Sequence, residues 1–291
     1  MRTAFVSACE NMLKFDENSV ILLGDIGVHS FQKLKTNFPS RIMNLGILEQ
    51  SMVGVGAGFA SRGVIPTLHT IAPFLIERAL EQIKVDFGYQ SLPGNFVSVG
   101  ASFDYSSLGC THHCPADIEI LSNVPGVDLF IPGHEDEFLD FFQNNWNSGS
   151  INYFRLSSIV NASPNQVSKG ETKRIKGGHA AVVVAVGPIL DAAIEGLAEL
   201  DVELHYVSSI LHSKELSFHS QLRNVPFITI EPYYPGRVLA KSLSHLSSLS
   251  LKPYTLGVTR EFSRDYGTLN DHLRINHLDS KSINRQISRL I

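Results

Sequence analysis

The chain has 291 residues, with 24 basic and 28 acidic side chains and a formal charge of −4. At about 150 residues per domain, this length predicts two domains, and the 43% hydrophobic and 18% charged content excludes a disordered chain. No block of lysine or arginine suggests a nucleic-acid partner. The longest apolar run, residues 180–186, is far shorter than the roughly 20 residues of a membrane span.

Three cysteines are too few for a disulfide scaffold in a chain of this length. No apolar segment of the signal-peptide type follows the N-terminus. We therefore expect reduced thiols, a cytoplasmic location and no membrane partner.

Short apolar runs alternate with helical patterns through the first half of the chain. Such alternation is typical of an open, mostly parallel α/β sheet with helices on both faces. The predicted strands are residues 20–23, 41–45, 64–68, 96–99, 127–131 and 153–156, and the predicted helices are residues 49–61, 75–89 and 135–146.

A polar stretch, residues 161–178, predicts a linker between residues 1–160 and a second α/β domain of residues 179–291. No repeat is evident. The second domain has predicted strands at residues 180–186, 204–207, 227–230 and 254–258, with helices at 189–200 and 282–290 and others between the strands.

Ligands of open α/β sheets bind at the carboxyl ends of the strands. Asp25, the segment 46–50 and the loop 100–115 fall at such ends. Glu49 lies at a strand-to-helix junction, where a carboxylate can simply favour the helix dipole. The alternative is a partly desolvated carboxyl group that shares a proton with a ligand nitrogen.

The segment Cys110-Thr111-His112-His113-Cys114 resembles a metal site at first sight. Its four potential ligands are too crowded for one tetrahedral ion, and no second pair of ligands is at hand, so we predict no metal ligands in this chain. Neither cysteine lies in a recognisable nucleophile motif. We favour histidines that face a substrate.

Three stretches of the first half carry a distinctive pattern. They are Leu22-Leu23-Gly24-Asp25, Phe38-Pro39-Ser40-Arg41 and the segment from Asn44 through Gly46-Ile47-Leu48-Glu49-Gln50 to Gly54. This pattern resembles the pyrimidine-binding domain of transketolases, and the likeness continues through residues 66–82 and at Thr111-His112. Residues 179–291 more weakly resemble the transketolase C-terminal domain.

The resemblance implies a cofactor, thiamine diphosphate, that is shared between two chains. Transketolases hold its diphosphate through Mg²⁺ (or Ca²⁺) on a G-D-G segment, which this sequence lacks. The chain therefore looks like the C-terminal half of a split transketolase. Its partner would be an N-terminal subunit that carries the diphosphate-binding domain and the metal, in an α₂β₂ assembly.

The resemblance also implies roles for residues at the cofactor. Glu49 would hydrogen-bond the pyrimidine nitrogen and take part in the proton relay that activates the cofactor. Phe74 would stack on the pyrimidine, and Ile71 stands where a first stacking aromatic is usual. Asp25 would lie near the thiazolium, and His112 near the reacting carbons.

A second set of positions would contact the substrate. Arg2 and Arg155 fall where transketolases place arginines that bind a sugar phosphate. Leu108 replaces an aspartate that reads a sugar hydroxyl, Gly100 replaces a histidine, and His29 replaces a hydroxyl residue. The cofactor part of the pattern is kept and the substrate part is changed, which suggests a non-standard sugar.

We therefore predict a transferase subunit that moves a two-carbon ketol unit between sugars or sugar phosphates, active only with its partner. One alternative is the β chain of a 2-oxo acid dehydrogenase, or a deoxyxylulose phosphate synthase-like enzyme, which decarboxylates an oxo acid on the same cofactor. Another is a non-catalytic regulatory homologue, against which the retained Glu49 argues.

Overall fold

The computed structural model describes residues 1–222, 224–236, 239 and 252–291. Its strands are β1 (Ser19–Leu23), β2 (Ile42–Asn44), β3 (Ile65–Ile71), β4 (Gly94–Val99), β5 (Val127–Phe130), β6 (Ile151–Arg155), β7 (Lys173–Lys176), β8 (Ala181–Val186), β9 (Val202–Val207), β10 (Ser209–Ile210), β11 (Pro226–Glu231) and β12 (Lys252–Gly257). They build two sheets, with orders β10-β5-β6-β4-β3-β1-β2 and β12-β11-β8-β9-β7.

Nearly all neighbouring strands run parallel. The exceptions are the pairs β10 with β5 and β7 with β9, which are antiparallel. Most strands are buried along their whole length, as expected where helices cover both faces of a parallel sheet. The predicted class, α/β with two open and mostly parallel sheets, is confirmed.

Helices cover both faces of the first sheet. Side chains of β1 alternate between two cores, Leu22 in one and Ile21 and Leu23 in the other. On the Ile21 side lie helices Arg2–Phe15, Val28–Asn37 and Glu135–Asn145; on the Leu22 side lie helices Glu49–Ala60 and Asp117–Ser122 and the irregular segment 73–88.

The helix predicted at residues 75–89 is not regular. It consists of two wide π-helical turns, Pro73–Glu77 and Ile83–Gly88, around a short α-helical turn. The backbone N–H of Arg78 bonds the carbonyl of Pro73, five residues back. Wide turns of this kind often occur at functional sites because they redirect side chains.

The second sheet carries its own core. Helices Leu190–Gly196 and Ser280–Ile287 pack together on it, and helix Leu269–Ile275 lies before the second of these. The observed helices are shorter than those predicted at 189–200 and 282–290. The helix predicted between β11 and β12 lies outside the described residues.

The stretch predicted as a linker, residues 161–178, is partly structured. It contains β7, which forms the edge of the second sheet, and it begins at Asn161, which is buried and donates to the carbonyl of Gly187 at 3.2 Å. The strand β10 comes from the second half of the chain but pairs with β5 of the first sheet. The division at 161–178 stays a prediction.

The chain reverses its direction across the first sheet between β1 and β3. From β1 it passes outward to β2 and then returns to β3 on the other side of β1. Ligands of such sheets bind in the crevice at this reversal, beyond the carboxyl ends of the strands. Asp25 follows β1 and Phe74 lies three residues after β3, so both lie at that crevice.

Candidate active site

Glu49 is the first residue of its helix and only 1% exposed. Its Oε2 accepts a hydrogen bond of 2.6 Å from Nη1 of Arg78, whose side chain is 41% exposed. Its Oε1 is buried and has no partner within the described chain. Because a buried polar atom without a partner costs free energy, this oxygen is a candidate acceptor for a donor from a ligand.

Aromatic side chains lie beside this carboxyl group. The guanidinium of Arg78 lies 4.3 Å from the ring centre of Phe74, and the His112 ring meets Phe74 edge-on at 5.3 Å between centres. Nδ1 of His112 lies 3.0 Å from Oγ1 of Thr111. One continuous set of contacts thus joins Glu49, Phe74 and His112.

The contacts continue to the N-terminal helix. The Tyr105 ring lies 6.2 Å from that of His112, and Arg2 donates a hydrogen bond to the Tyr105 hydroxyl. Arg2 is exposed, so its remaining donors are open to a ligand. The structure therefore brings together four of the predicted residues: Arg2, Glu49, Phe74 and His112.

Asp25 is held near this site by a residue that sequence reasoning left without a role. Oδ1 of Asn44 accepts from the backbone N–H groups of Asp25 (3.0 Å) and Gly46 (3.2 Å), and its Nδ2 donates to Oδ1 of Asp25 at 3.1 Å. Asn44 thus ties together the loops that follow β1 and β2. The signal was an asparagine at a strand end within the family pattern. His29 is exposed at the start of the next helix.

Ile71 belongs to the core, with 5% exposure. Its neighbour Gly100 has φ +82°, and a Cβ there would meet the Tyr105 ring at 2.6 Å and Cγ2 of Ile71 at 2.9 Å. Position 100 therefore cannot take the histidine of the family without moving Tyr105. Leu108, in contrast, is half exposed on a short 3₁₀ turn.

Arg155 occupies a setting different from the one predicted. It is 1% exposed, its Nε donates to Oδ2 of Asp117 at 2.7 Å, and its Nη2 donates to Oγ of Ser102 at 2.7 Å. The guanidinium also lies 5.6 Å from the ring centre of Tyr233. A cation paired and enclosed in this way holds neighbouring interior groups together, and the predicted role of Arg155 in binding a sugar phosphate stays a prediction.

Glu231, at the end of β11, is fully buried. Its Oε1 accepts from Oγ1 of Thr229 (2.6 Å) and from the N–H of Gly236 (2.9 Å), and the buried Tyr233 hydroxyl interacts with the same carboxyl group. Burial raises the pKa of Glu231 to about 7. This carboxyl group therefore keeps its proton under conditions where an exposed glutamate has lost it.

The elevated pKa of Glu231 predicts a pH-dependent stability. Below about pH 4.5, Glu231 is protonated in both the folded and the unfolded state. Between about pH 4.5 and 7, Glu231 releases its proton only in the unfolded state. The free energy of unfolding therefore falls as the pH rises through this range. We expect Glu231→Gln to be nearly neutral at pH 5 and to stabilise by about 1–3 kcal/mol at pH 8. Urea unfolding at both pH values measures this, and an equal effect at the two would contradict it.

The side chains of the cysteine and histidine segment lie in different surroundings. Cys110 is exposed, whereas Cys114 is buried with its Sγ 3.6 Å from Oε1 of Glu77. The His113 ring packs edge-on against Phe103. No group of three or more His, Cys, Asp or Glu side chains in the described ranges could hold a metal ion.

Within the same ranges, no helix is both long and apolar enough to cross a membrane.

Comparison with known proteins identifies the family. The family described as transketolase, pyrimidine binding domain, matches residues 1–158, more than half of the chain. The chain belongs to this family, as the sequence pattern predicted.

Two curated relatives extend the comparison. The chain is 38% identical over 295 residues to an uncharacterized 33.6 kDa protein in the fasciation locus of Rhodococcoides fascians, covering 100% of this chain and 95% of the relative. It is 31% identical over 179 residues to an apulose-4-phosphate transketolase subunit of Actinobacillus succinogenes, covering 59% and 57% of the two chains.

A solved structure shows the same fold along the whole chain. A split gene transketolase, described as an inactive beta4 tetramer, superposes with a TM-score of 0.82 at 21% identity. The superposition covers 99% of this chain and 97% of that one. Both sheets are therefore part of the shared fold.

Proposed function

We propose that this chain is one subunit of a two-chain, thiamine diphosphate-dependent transketolase-like enzyme. One observation carries the proposal: Glu49 is buried at a strand-end crevice with one carboxylate oxygen unpartnered within the described chain, beside Phe74 and His112. A carboxyl group in that setting can hydrogen-bond a nitrogen of a flat ligand and exchange a proton with it.

The residues present fit the pyrimidine end of the cofactor. Oε1 of Glu49 is the acceptor left for a ring nitrogen, and Phe74 offers an aromatic surface at the same crevice. Thiamine diphosphate, when bound, supplies a carbon nucleophile that carries the two-carbon ketol unit.

The chain's own groups orient the ligand and move its proton. Glu49 holds a proton at the ring nitrogen, and the Glu49–Arg78 hydrogen bond fixes the direction of the carboxyl group. His112, with Nδ1 next to Thr111, has its other ring nitrogen available near the reacting atoms. Asp25, clamped by Asn44, borders the crevice from the adjoining strand end.

A second chain would complete the site. The sequence has no G-D-G segment to hold Mg²⁺ (or Ca²⁺), and the described residues contain no metal-ligand group. Exposed apolar side chains flank the start and the outer face of the Glu49 helix, namely Ile47, Leu48 and Val55. Such a surface suits an N-terminal subunit that carries the diphosphate-binding domain, in a cytoplasmic α₂β₂ assembly.

The substrate we propose is a non-standard sugar with an anionic group. A relative is named for apulose 4-phosphate, and Arg2 offers free donors beside Tyr105. The apolar Leu108 cannot read a sugar hydroxyl, and a hydroxyl left without a partner weakens the transition state. Xylulose 5-phosphate and ribose 5-phosphate should therefore be poor substrates.

Cofactor binding tests the two-chain proposal. We expect the isolated chain to bind thiamine diphosphate weakly or not at all, with or without Mg²⁺, because the diphosphate end has no ligand here. Co-expression with a partner that carries a G-D-G segment should give an α₂β₂ complex with tight, Mg²⁺-dependent binding. Calorimetry and size measurement check both expectations.

Two outcomes would contradict the proposal. Tight binding by the isolated chain would place the whole cofactor site within it. Turnover of pyruvate with an aldehyde, but not ketol transfer between sugars, would assign the complex to the decarboxylating enzymes instead.

A further inference from the structure

A cleft lies beside residues 108–112, the turn that carries Leu108 and His112 and that we call the catalytic turn. The proposed cofactor site does not use this cleft. Its volume is ≈ 400 Å³, within the range of small-ligand sites. The walls come from the turn at Gly109 and Cys110 and from the loop Phe262-Ser263-Arg264-Asp265-Tyr266 of the second half. We call these five residues the second-half loop.

The second-half loop is in close contact with the turn that carries Leu108 and His112. A Cβ at Gly109 would meet Cε1 of Tyr266 at 2.6 Å, so the Tyr266 ring lies directly on the glycine backbone. The N–H of His112 donates to the carbonyl of Gly109 at 2.9 Å. The cleft is therefore one short turn away from the side chain that we place near the reacting carbons.

The base of the loop is fixed to the first half of the chain. Arg260 forms a 2.6 Å ion pair with Glu119, and its guanidinium lies 5.1 Å from the ring centre of Tyr234. The N–H of Tyr234 in turn donates to the carbonyl of Pro115. The second-half loop is thus anchored across the catalytic turn.

The cleft is lined by one cationic and one anionic side chain. Arg264 is exposed and has no ion pair with any described residue, whereas Arg78, Arg155 and Arg260 all have carboxylate partners. Asp265 adds a carboxylate in the same cleft.

Aromatic rings complete the lining of the cleft. Phe262 is 80% and Tyr266 64% exposed. A ligand that suits all these groups has an anionic group for the guanidinium, hydroxyls that donate to the carboxylate, and C–H faces for the rings.

We propose that this cleft binds the non-reacting end of a sugar phosphate substrate, with Arg264 on the phosphate and Asp265 on a hydroxyl. The inference rests on the proposed ketol transfer and names its specificity element. Leu108 has no carboxylate for the substrate, and Asp265 supplies one from the other half of the chain. Arg155 is enclosed, whereas Arg264 is an exposed cation in the same cleft as Asp265.

The rate at which Cys110 is alkylated reports ligand binding in the cleft, and this measurement needs neither the partner subunit nor the cofactor. Cys110 lines the cleft and is exposed, whereas Cys9 and Cys114 are buried and burial raises their thiol pKa well above the usual value. Iodoacetamide should therefore alkylate Cys110 selectively in the full-length chain. A ligand in the cleft should slow this alkylation.

The test measures the alkylation rate of Cys110 with ribose 5-phosphate, ribose or inorganic phosphate as the probe. We expect protection by ribose 5-phosphate, with half-protection shifted to about 10- to 100-fold higher concentration in Arg264→Ala. The matched control Arg289→Ala removes an exposed arginine elsewhere and should protect like the wild type. Asp265→Ala should reduce the advantage of ribose 5-phosphate over inorganic phosphate.

Three results would overturn the inference: no protection by ribose 5-phosphate, equal protection by inorganic phosphate, or the same protection in Arg264→Ala as in Arg289→Ala. In the assembled complex, Arg264→Ala should raise KM for phosphorylated sugars and leave the KM for their unphosphorylated forms unchanged. A complex without any ketol transfer would refute the proposed function, whereas the protection result would still stand on its own.

Discussion

Glu49→Gln is expected to lower the turnover of the assembled enzyme by about 10²- to 10⁴-fold. The amide keeps the size of the carboxyl group and can still contact a ring nitrogen, but it cannot exchange a proton with it. Steady-state ketol transfer with hydroxypyruvate as the donor measures the loss. A variant that keeps more than about a tenth of the wild-type rate would remove Glu49 from the mechanism.

The control for this variant is an exposed glutamate in the second half of the chain. Glu195 is exposed on the helix Leu190–Gly196, so Glu195→Gln changes the charge equally and should leave turnover unaffected. Glu49→Gln also removes the ion pair with Arg78. Circular dichroism and the size of the complex should show that fold and assembly are kept.

Arg155→Met is expected to destabilise the chain by about 3–5 kcal/mol, because it leaves the carboxylate of Asp117 buried without its charged partner. Urea unfolding followed by circular dichroism measures the change. The double variant Arg155→Met with Asp117→Leu should recover much of the lost stability, since an apolar pair can replace a buried ion pair at little cost.

This pair of variants separates a structural role of Arg155 from a role in substrate binding. If Arg155→Met folds with wild-type stability and raises KM for phosphorylated sugars only, the residue binds substrate as the family resemblance implies. A loss of stability rescued by Asp117→Leu would instead assign it to the interior.

The strand pattern was predictable because parallel strands buried on both faces are continuous apolar runs; β1 and β8 are examples. The helix Arg2–Phe15 was missed although its buried residues recur at helical spacing; no side chain caps its start, so the start has no sequence signal of its own. The predicted helix at 75–89 was too regular, because hydrophobic spacing does not reveal a π-helical turn.

Contacts between residues far apart in the sequence could not be predicted, and several of them shape the candidate site. Glu49 and Phe74 were found from the family pattern, but the Glu49–Arg78 pair joins residues 29 positions apart. The Arg155–Asp117 pair joins residues 38 positions apart. Spacing along the chain contains no information on such partners. Likewise, the reason for Gly100 is the Tyr105 ring, which only the folded structure places against it.

The short strand β10 has a consequence for how this protein can be divided. It closes the edge of the first sheet beside β5, and Val182, Val184 and Phe227 of the second half share one core with Leu22 and Phe96 of the first. A cut at residues 161–178 would expose that edge and split the common core. Separating the two halves at this stretch should therefore destabilise both.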